Sequence, residues 1–142
     1  MVQRIQSFWL FLGALLNCGM LIFDFYKVPL VNGVDNSIKV INHYPSLLLT
    51  LVTIILPLVI IFMYKKRKQQ ISMSIVAIIS VSSLLTMLLN RTNILTTSTP
   101  AVSGGSYWIG AVILPLSMVC FILAIIGIRK DEKLVKSVDR LR

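Results

Sequence analysis

Four basic residues near the end of the chain have a spacing that suits the binding of a polyanion. On a helix at about 100° per residue they fall within about 60° of one another: Arg129, Lys133, Lys136 and Arg140. The apolar residues Leu134, Val138 and Leu141 gather on roughly the opposite side. The pattern predicts an amphipathic helix, with a basic stripe for phosphates or an acidic surface and an apolar back that packs on a protein.

A second basic cluster lies in the middle of the chain, in the short segment "KKRKQQ". Its residues are predicted to lie on the same side of a membrane as the C-terminal tail 129–142, where they would extend the basic stripe: Lys65, Lys66, Arg67 and Lys68. The plainer alternative is that both clusters only set orientation and rest on anionic lipid, at about 1 kcal/mol per basic residue. Orientation needs only a few charges, so a patterned stripe exceeds that need.

The remaining reactive residue types do not form a pattern for catalysis or ligand binding. His43 is the only histidine and has no carboxylate near it in sequence, so we expect an interfacial histidine. Cys18 and Cys120 are expected at different depths, so we expect no disulfide between them. The sequence therefore predicts no enzyme activity, no cofactor and no metal site.

The elements that would carry these residues are membrane helices. The chain is 56% hydrophobic and 13% charged, whereas a soluble domain is nearer 45–50% apolar and 25% charged. Four runs are each about 20 residues long, the length needed to cross a bilayer. They predict a single all-α membrane domain over 1–142 with helices at about 5–24, 46–64, 71–90 and 107–128.

The distribution of positive charge predicts the orientation of these helices. Of 14 Lys and Arg residues, eleven precede the first run, lie in the loop 65–70 or follow the last run, in the tail 129–142. Short loops rich in Lys and Arg stay in the cytoplasm. Both termini are therefore expected in the cytoplasm, and loops 25–45 and 91–106 are expected to face outward.

The two outward loops are predicted to form a small cap. Loop 25–45 alternates apolar residues around Asn32-Gly33, a common signal for a tight hairpin turn, so we expect a β-hairpin over Lys27–Val40. Loop 91–106 is rich in Thr, Ser, Gly and Pro and is interpreted as turns, with at most one short strand that pairs with the hairpin.

The two ends of the chain resemble a known family. The start "VQRIQSFWLFLGALL", the pair Leu114-Pro115 and the ending "GIRKDEKLVKSVDRLR" are similar to small four-helix inner-membrane proteins of Bacteroidota, catalogued as a domain of unknown function. The resemblance implies a multi-pass protein of a bacterial inner membrane. It brings no activity and no catalytic residues to carry over.

Two classes of function remain open on the sequence. One is a non-catalytic accessory subunit that docks beside a larger membrane complex, such as the protein-export (Sec) translocon, with its basic tail near the ribosome or the channel. The other is a small oligomeric transporter or exporter, which would need a carboxylate within the membrane. Asp24 is the only candidate and lies at a helix end. The expected partners are the lipid bilayer, a larger membrane complex and ribosomal RNA, with no DNA.

Overall fold

The computed structural model describes the backbone of residues 3–28, 37–63, 66–98 and 104–139, and side chains from residue 5 to residue 135 within those ranges. Within this part of the chain the elements are four helices and two short strands. In chain order they are α1 (Gln3–Gly19), β1 (Tyr26–Lys27), α2 (Tyr44–Phe62), α3 (Arg67–Ser98), β2 (Ser106–Tyr107) and α4 (Ile109–Asp139).

The four helices form a bundle in which neighbours in sequence are neighbours in space. Helix α1 packs against α2 and α4, and α3 packs against the same two helices. The core between them is built from large apolar side chains that are fully buried, among them Leu10, Leu84, Leu114 and Phe121. The connection between α2 and α3 is short, as is usual for neighbouring antiparallel helices, whereas the longer connections on either side contribute to the cap described below.

Three of the helices are long and apolar enough to cross a membrane: α2, α3 and the part of α4 up to Val135. The apolar part of α1, Ile5–Gly19, is shorter in the described residues. Helix α1 gives way to a turn after Gly19, whose carbonyl accepts from both Ile22 N (3.0 Å) and Phe23 N (2.9 Å). It therefore ends earlier than the predicted boundary at residue 24, and the fourth crossing stays a prediction.

Helix α3 extends well beyond its predicted end at residue 90. The segment Arg91–Ser98, which was expected to be part of a turn-rich loop, is helical, so that interpretation is wrong. Nothing breaks the helix before Pro100, and Thr92 is buried while Leu95 packs against the core. The hydroxyls of Thr97 and Ser98 also donate to carbonyls one turn earlier, at 2.8 Å each, so they do not compete with the helix.

The two ends of the bundle differ, and we name them by their residues. The basic end carries Lys66–Lys68 and Arg129–Lys133. The cap end carries β1, β2 and residues 37–43. At the cap end β1 pairs antiparallel with β2, Tyr26 opposite Tyr107, and Tyr26 also forms a bridge with Ile38. The predicted pairing of the two loops is present, whereas the turn expected at Asn32-Gly33 lies outside the described residues.

Aromatic and charged side chains hold the cap together. The rings of Phe25 and Tyr26 each meet Tyr107 edge to face, with centroids 5.9 and 5.3 Å away. The Lys27 ammonium lies 4.8 Å from the centre of the Trp108 ring. Asp24 and Lys39 form an ion pair across 3.6 Å. The cap also holds the start of α4, because Gly110 N donates to the carbonyl of Asp24 at 3.1 Å.

The two adjacent glycines of the cap, Gly104 and Gly105, are expected to respond differently to substitution by alanine. A Cβ on Gly105 would collide with the Tyr26 ring and lie 2.7 Å from the Lys27 carbonyl oxygen, a backbone atom that cannot swing aside. We expect Gly105→Ala to destabilise the cap by about 1–3 kcal/mol. Hydrogen exchange at Ile38 N and Trp108 N, both bonded within the cap, should then accelerate about fivefold or more.

Gly104→Ala is the matched control, because a Cβ there meets nothing within 4 Å. Its exchange rates should stay close to those of the wild type. Equal rates in the two variants would mean that the β1–β2 contact does not organise the cap.

Candidate functional site

Helix α4 carries the predicted basic stripe away from the bundle. The apolar run ends at Ile128, yet the helix continues without a break through Asp139. Those eleven further residues extend about 16 Å at about 1.5 Å per residue. Arg129, Lys130 and Lys133 are all exposed on this extension. As far as Asp139, the tail is thus a helical continuation of a core helix and does not form a separate helix.

An ion pair joins this extension to the start of α3. Arg67 Nη2 lies 3.2 Å from Asp131 Oδ2, and Nη1 donates to the carbonyl oxygen of the same residue at 3.2 Å. Both side chains are largely shielded from solvent, with exposed fractions of 32% and 16%. An arginine that holds one residue through two nitrogens restricts geometry more than a single contact would. The contact therefore fixes the relative position of the two basic clusters.

The predicted site residues divide into those whose side chains are described and those whose side chains are not. Lys66, Lys68, Arg129 and Lys133 are exposed at the basic end, and Arg67 lies between them on Asp131. Leu134 is 55% exposed, so the apolar back of the extension is open to a partner at this position. Lys136 and Val138 lie within α4, but their side chains are not described; Lys65, Arg140 and Leu141 lie outside the described residues.

Two buried glutamines at the basic end were missed by the sequence analysis. Gln6 is 3% exposed and packs where Gly127 leaves room, and Gln70 is 1% exposed and donates from Nε2 to the carbonyl of Ile60 at 3.4 Å. Gln70 had been placed in the loop 65–70. Gln70 lies four residues before Ser74 and seven before Ala77, and all three share the buried face of α3. This helical spacing could have indicated that α3 begins before Gln70 and that Gln70 is buried.

Many of the polar side chains within the bundle hydrogen-bond to a neighbouring helix or to their own. Among the described residues, the amide oxygens of Gln6, Asn17 and Gln70 and the Nη1 of Arg91 are buried without a hydrogen-bond partner. Asn17 Nδ2 on α1 donates to the carbonyl of Thr53 on α2 at 3.3 Å. The hydroxyls of Thr50, Thr53 and Ser117 each donate to a carbonyl of their own helix at 2.8 Å. Such groups commonly join or stabilise helices in membranes.

His43 has a structural position at the start of α2. Its Nδ1 accepts from Ser46 N at 3.4 Å and caps the first turn of the helix, with Pro45 in that turn. Both cysteines are free. Among the described residues no three His, Cys, Asp or Glu side chains come close enough to hold a metal ion.

Comparison with known proteins gives a family without an assigned activity. The model of a family described as a domain of unknown function (DUF4293) matches residues 2–141, nearly the whole chain. No curated protein and no solved structure matches.

Proposed function

We propose that this chain, which belongs to the family described as a domain of unknown function (DUF4293), is a non-catalytic accessory subunit of a larger integral membrane complex. The complex we propose is the protein-export (Sec) translocon of a bacterial inner membrane. The basic end lies near the ribosome or the cytoplasmic mouth of the channel. Its partner there is a polyanion, ribosomal RNA, while the apolar back of the extension packs on protein.

The observation that carries the proposal is the fixed extension of α4 beyond the apolar run. A C-terminal segment whose charges only set the orientation of the helices in the membrane would not need a defined structure. Here Arg129 and Lys133 stand on a helix continuous with the bundle, and Arg67 holds Asp131 so that Lys66 and Lys68 lie at the same end. A preorganised basic surface loses less conformational entropy on binding, which favours recognition of a large, rigid anion.

The alternative function, a small exporter, would need an acidic side chain deep in the membrane, and the placement of the acidic residues gives it less support than the accessory role has. Among described side chains the acidic ones are Asp24, Asp131 and Glu132. Asp24 pairs with Lys39 in the cap, and the other two lie on the extension of α4. A proton-coupled exporter relies on an ionisable group at depth in the membrane. The accessory role needs none, so it is the function we favour.

Gentle extraction tests the proposal directly. A tagged chain should be solubilised in a mild detergent at low salt, and the proteins that accompany it should be identified by mass spectrometry. We expect translocon subunits and ribosomal proteins, with the ribosomal component falling steeply as salt increases, because phosphate contacts release counterions. Co-purification of a different complex, or of none, would rule out the translocon assignment.

The proposal also requires both termini and the basic end to face the cytoplasm. Single cysteines at Asn42, Gln69 and Gly104, all exposed positions, can be introduced in a background with Cys18→Ala and Cys120→Ala. An impermeant thiol reagent on intact spheroplasts should label positions 42 and 104 and spare 69, because the charge bias retains the basic end inside. Labelling at 69 in sealed cells would overturn this orientation.

A further inference from the structure

The exposed face of α3 differs from those of the other helices. Within the described residues of α1, α2 and the part of α4 up to Ile128, exposed side chains are apolar or aromatic, such as Phe11, Ile55 and Val119. On α3 no large apolar side chain is exposed between Ile79 and Ile94. The exposed positions there are polar: Ser83, Thr86, Asn90 and Asn93.

These polar residues form one continuous seam. With Ile79 and Thr97 they follow one another at alternating intervals of four and three residues, and they lie directly opposite the buried stripe that contains Val81, Leu84 and Leu88. Such alternation keeps side chains on one face of a helix and is the spacing of helices that pack side by side. The seam therefore has the pattern of a contact face at the position most distant from the bundle core.

The depth of the seam follows from the contact at the basic end. Arg67 on α3 contacts Asp131 on α4. Counted 23 residues from each of them toward the cap end, at an equal rise per residue, Asn90 comes about level with Trp108, the residue before α4. Trp108 and Tyr107 are exposed, as is usual for aromatic residues at a membrane surface. Thr86 and Ser83 then lie about 6 and 10 Å deeper. Part of the seam thus faces the hydrocarbon of a membrane, where a polar face is unfavourable without a partner.

Hydrogen bonding within α3 leaves the two carboxamides of the seam unpaired. Ser83 Oγ donates to the carbonyl of Ile79 and Thr86 Oγ1 to that of Ser82, at 2.9 Å each, so both hydroxyls are paired in their own helix. The carboxamides of Asn90 and Asn93 make no hydrogen bond within the part of the chain that the structure describes, and Asn90 is the one nearer the membrane interior. Small hydroxyl residues allow close approach of a second helix, and an amide can then bond across the contact.

We propose that this seam, from Ile79 to Thr97, is the interface between two copies of the chain. Copies inserted in the same orientation present α3 in parallel, so a two-fold axis along the membrane normal sets each residue near its counterpart. A carboxamide is both donor and acceptor, so Asn90 can pair with Asn90 of a second copy. The seam carries no charge in a chain of net charge +9, so its close approach avoids like-charge repulsion. The inference does not depend on the proposed function.

Cysteine cross-linking in native membranes tests the seam. In a background with Cys18→Ala and Cys120→Ala, Thr86→Cys should form disulfide-linked pairs of the chain under mild oxidation. Val112→Cys is the control, because it is 66% exposed at the same depth on the apolar face of α4. We expect pairs from position 86 at least about tenfold faster than from position 112. Equal rates, no pairs, or links from position 86 to another protein alone would overturn the proposal.

Substitution of the seam provides a second, independent readout. The triple variant Ser83→Leu, Thr86→Leu and Asn90→Leu places apolar residues on a lipid-facing surface, so the bundle should fold normally. Energy transfer between labelled copies in liposomes should show association weakened about tenfold or more, because the amide contact is lost and the seam is wider. The matched variant Val112→Leu, Val119→Leu and Ile122→Leu should associate as the wild type does. Unchanged association in the seam variant would contradict the proposed interface.

Discussion

Reversal of three charges on the extension of α4 is expected to abolish the proposed association with the ribosome-bound translocon. In the variant Lys133→Glu, Lys136→Glu and Arg140→Glu, three contacts of about 1 kcal/mol each are lost and three repulsions are added. The affinity should fall about a hundredfold or more. The measurement is the amount of ribosome retained by the purified chain at low salt, compared with the wild type at equal expression.

Two control variants separate the stripe from net charge. Lys130→Glu with Arg142→Glu changes two charges on the same tail, but Lys130 lies about 100° from Arg129 around the helix and therefore off the stripe. This variant should keep most of the association. The neutral triple variant with Gln at positions 133, 136 and 140 should give an intermediate loss. If the charge-reversed variant retains the ribosome as well as the wild type does, the stripe is not the contact surface.

Gly13→Leu is expected to separate α1 from α4 and to cost about 3 kcal/mol of stability. A Cβ at Gly13 would collide with the ring of Phe121, which is fully buried. Alanine normally stabilises a helix by about 1 kcal/mol relative to glycine. The sign at this position is reversed because the two helices approach too closely. Unfolding in mixed micelles with increasing denaturing detergent gives the free energy.

Gly19→Ala is the matched control on the same helix. Its Cβ would lie 3.3 Å from Ile113 Cδ1, the end of a flexible side chain that can give way. Its stability should therefore change by less than about 1 kcal/mol. Gly13→Ala should also destabilise the bundle. Its combination with Phe121→Leu should recover part of the stability that Gly13→Ala loses, since the smaller side chain at position 121 frees space. Equal stability of Gly13→Leu and the wild type would show that α1 and α4 are not in this contact.

The elements that the sequence predicted best are those defined by uninterrupted apolar runs. Helix α2 was predicted at 46–64 and is Tyr44–Phe62. The two ranges agree within two residues because Pro45 and Lys65 mark the ends of the apolar run in the sequence. The end of α3 was not predicted, because Thr and Ser were interpreted as turn residues although their hydroxyls bond within the helix. Local propensity cannot decide such a segment. The packing of Thr92 and Leu95 against the bundle decides it.

The basic surface was predictable in composition but not in geometry. The periodicity of residues 129–142 predicted a helix, and the positive charges predicted that both clusters lie at the same end. The contact between Arg67 and Asp131 joins residues 64 positions apart, which no local pattern encodes. Gln6 and Gln70 were missed for a related reason, since their burial depends on Gly127 and on the end of α2. Side chains at helix ends are positioned by the neighbouring helix.

Site-specific photo-cross-linking in living cells tests the accessory role most directly. A benzophenone amino acid in place of Leu134 stands on the exposed back of the α4 extension, and the same group in place of Val119 faces lipid as a control. We predict that position 134 forms adducts with a translocon subunit or a ribosomal component and that position 119 does not. Adducts at position 134 with an unrelated protein, or no protein adduct from a chain present at normal levels, would contradict the account.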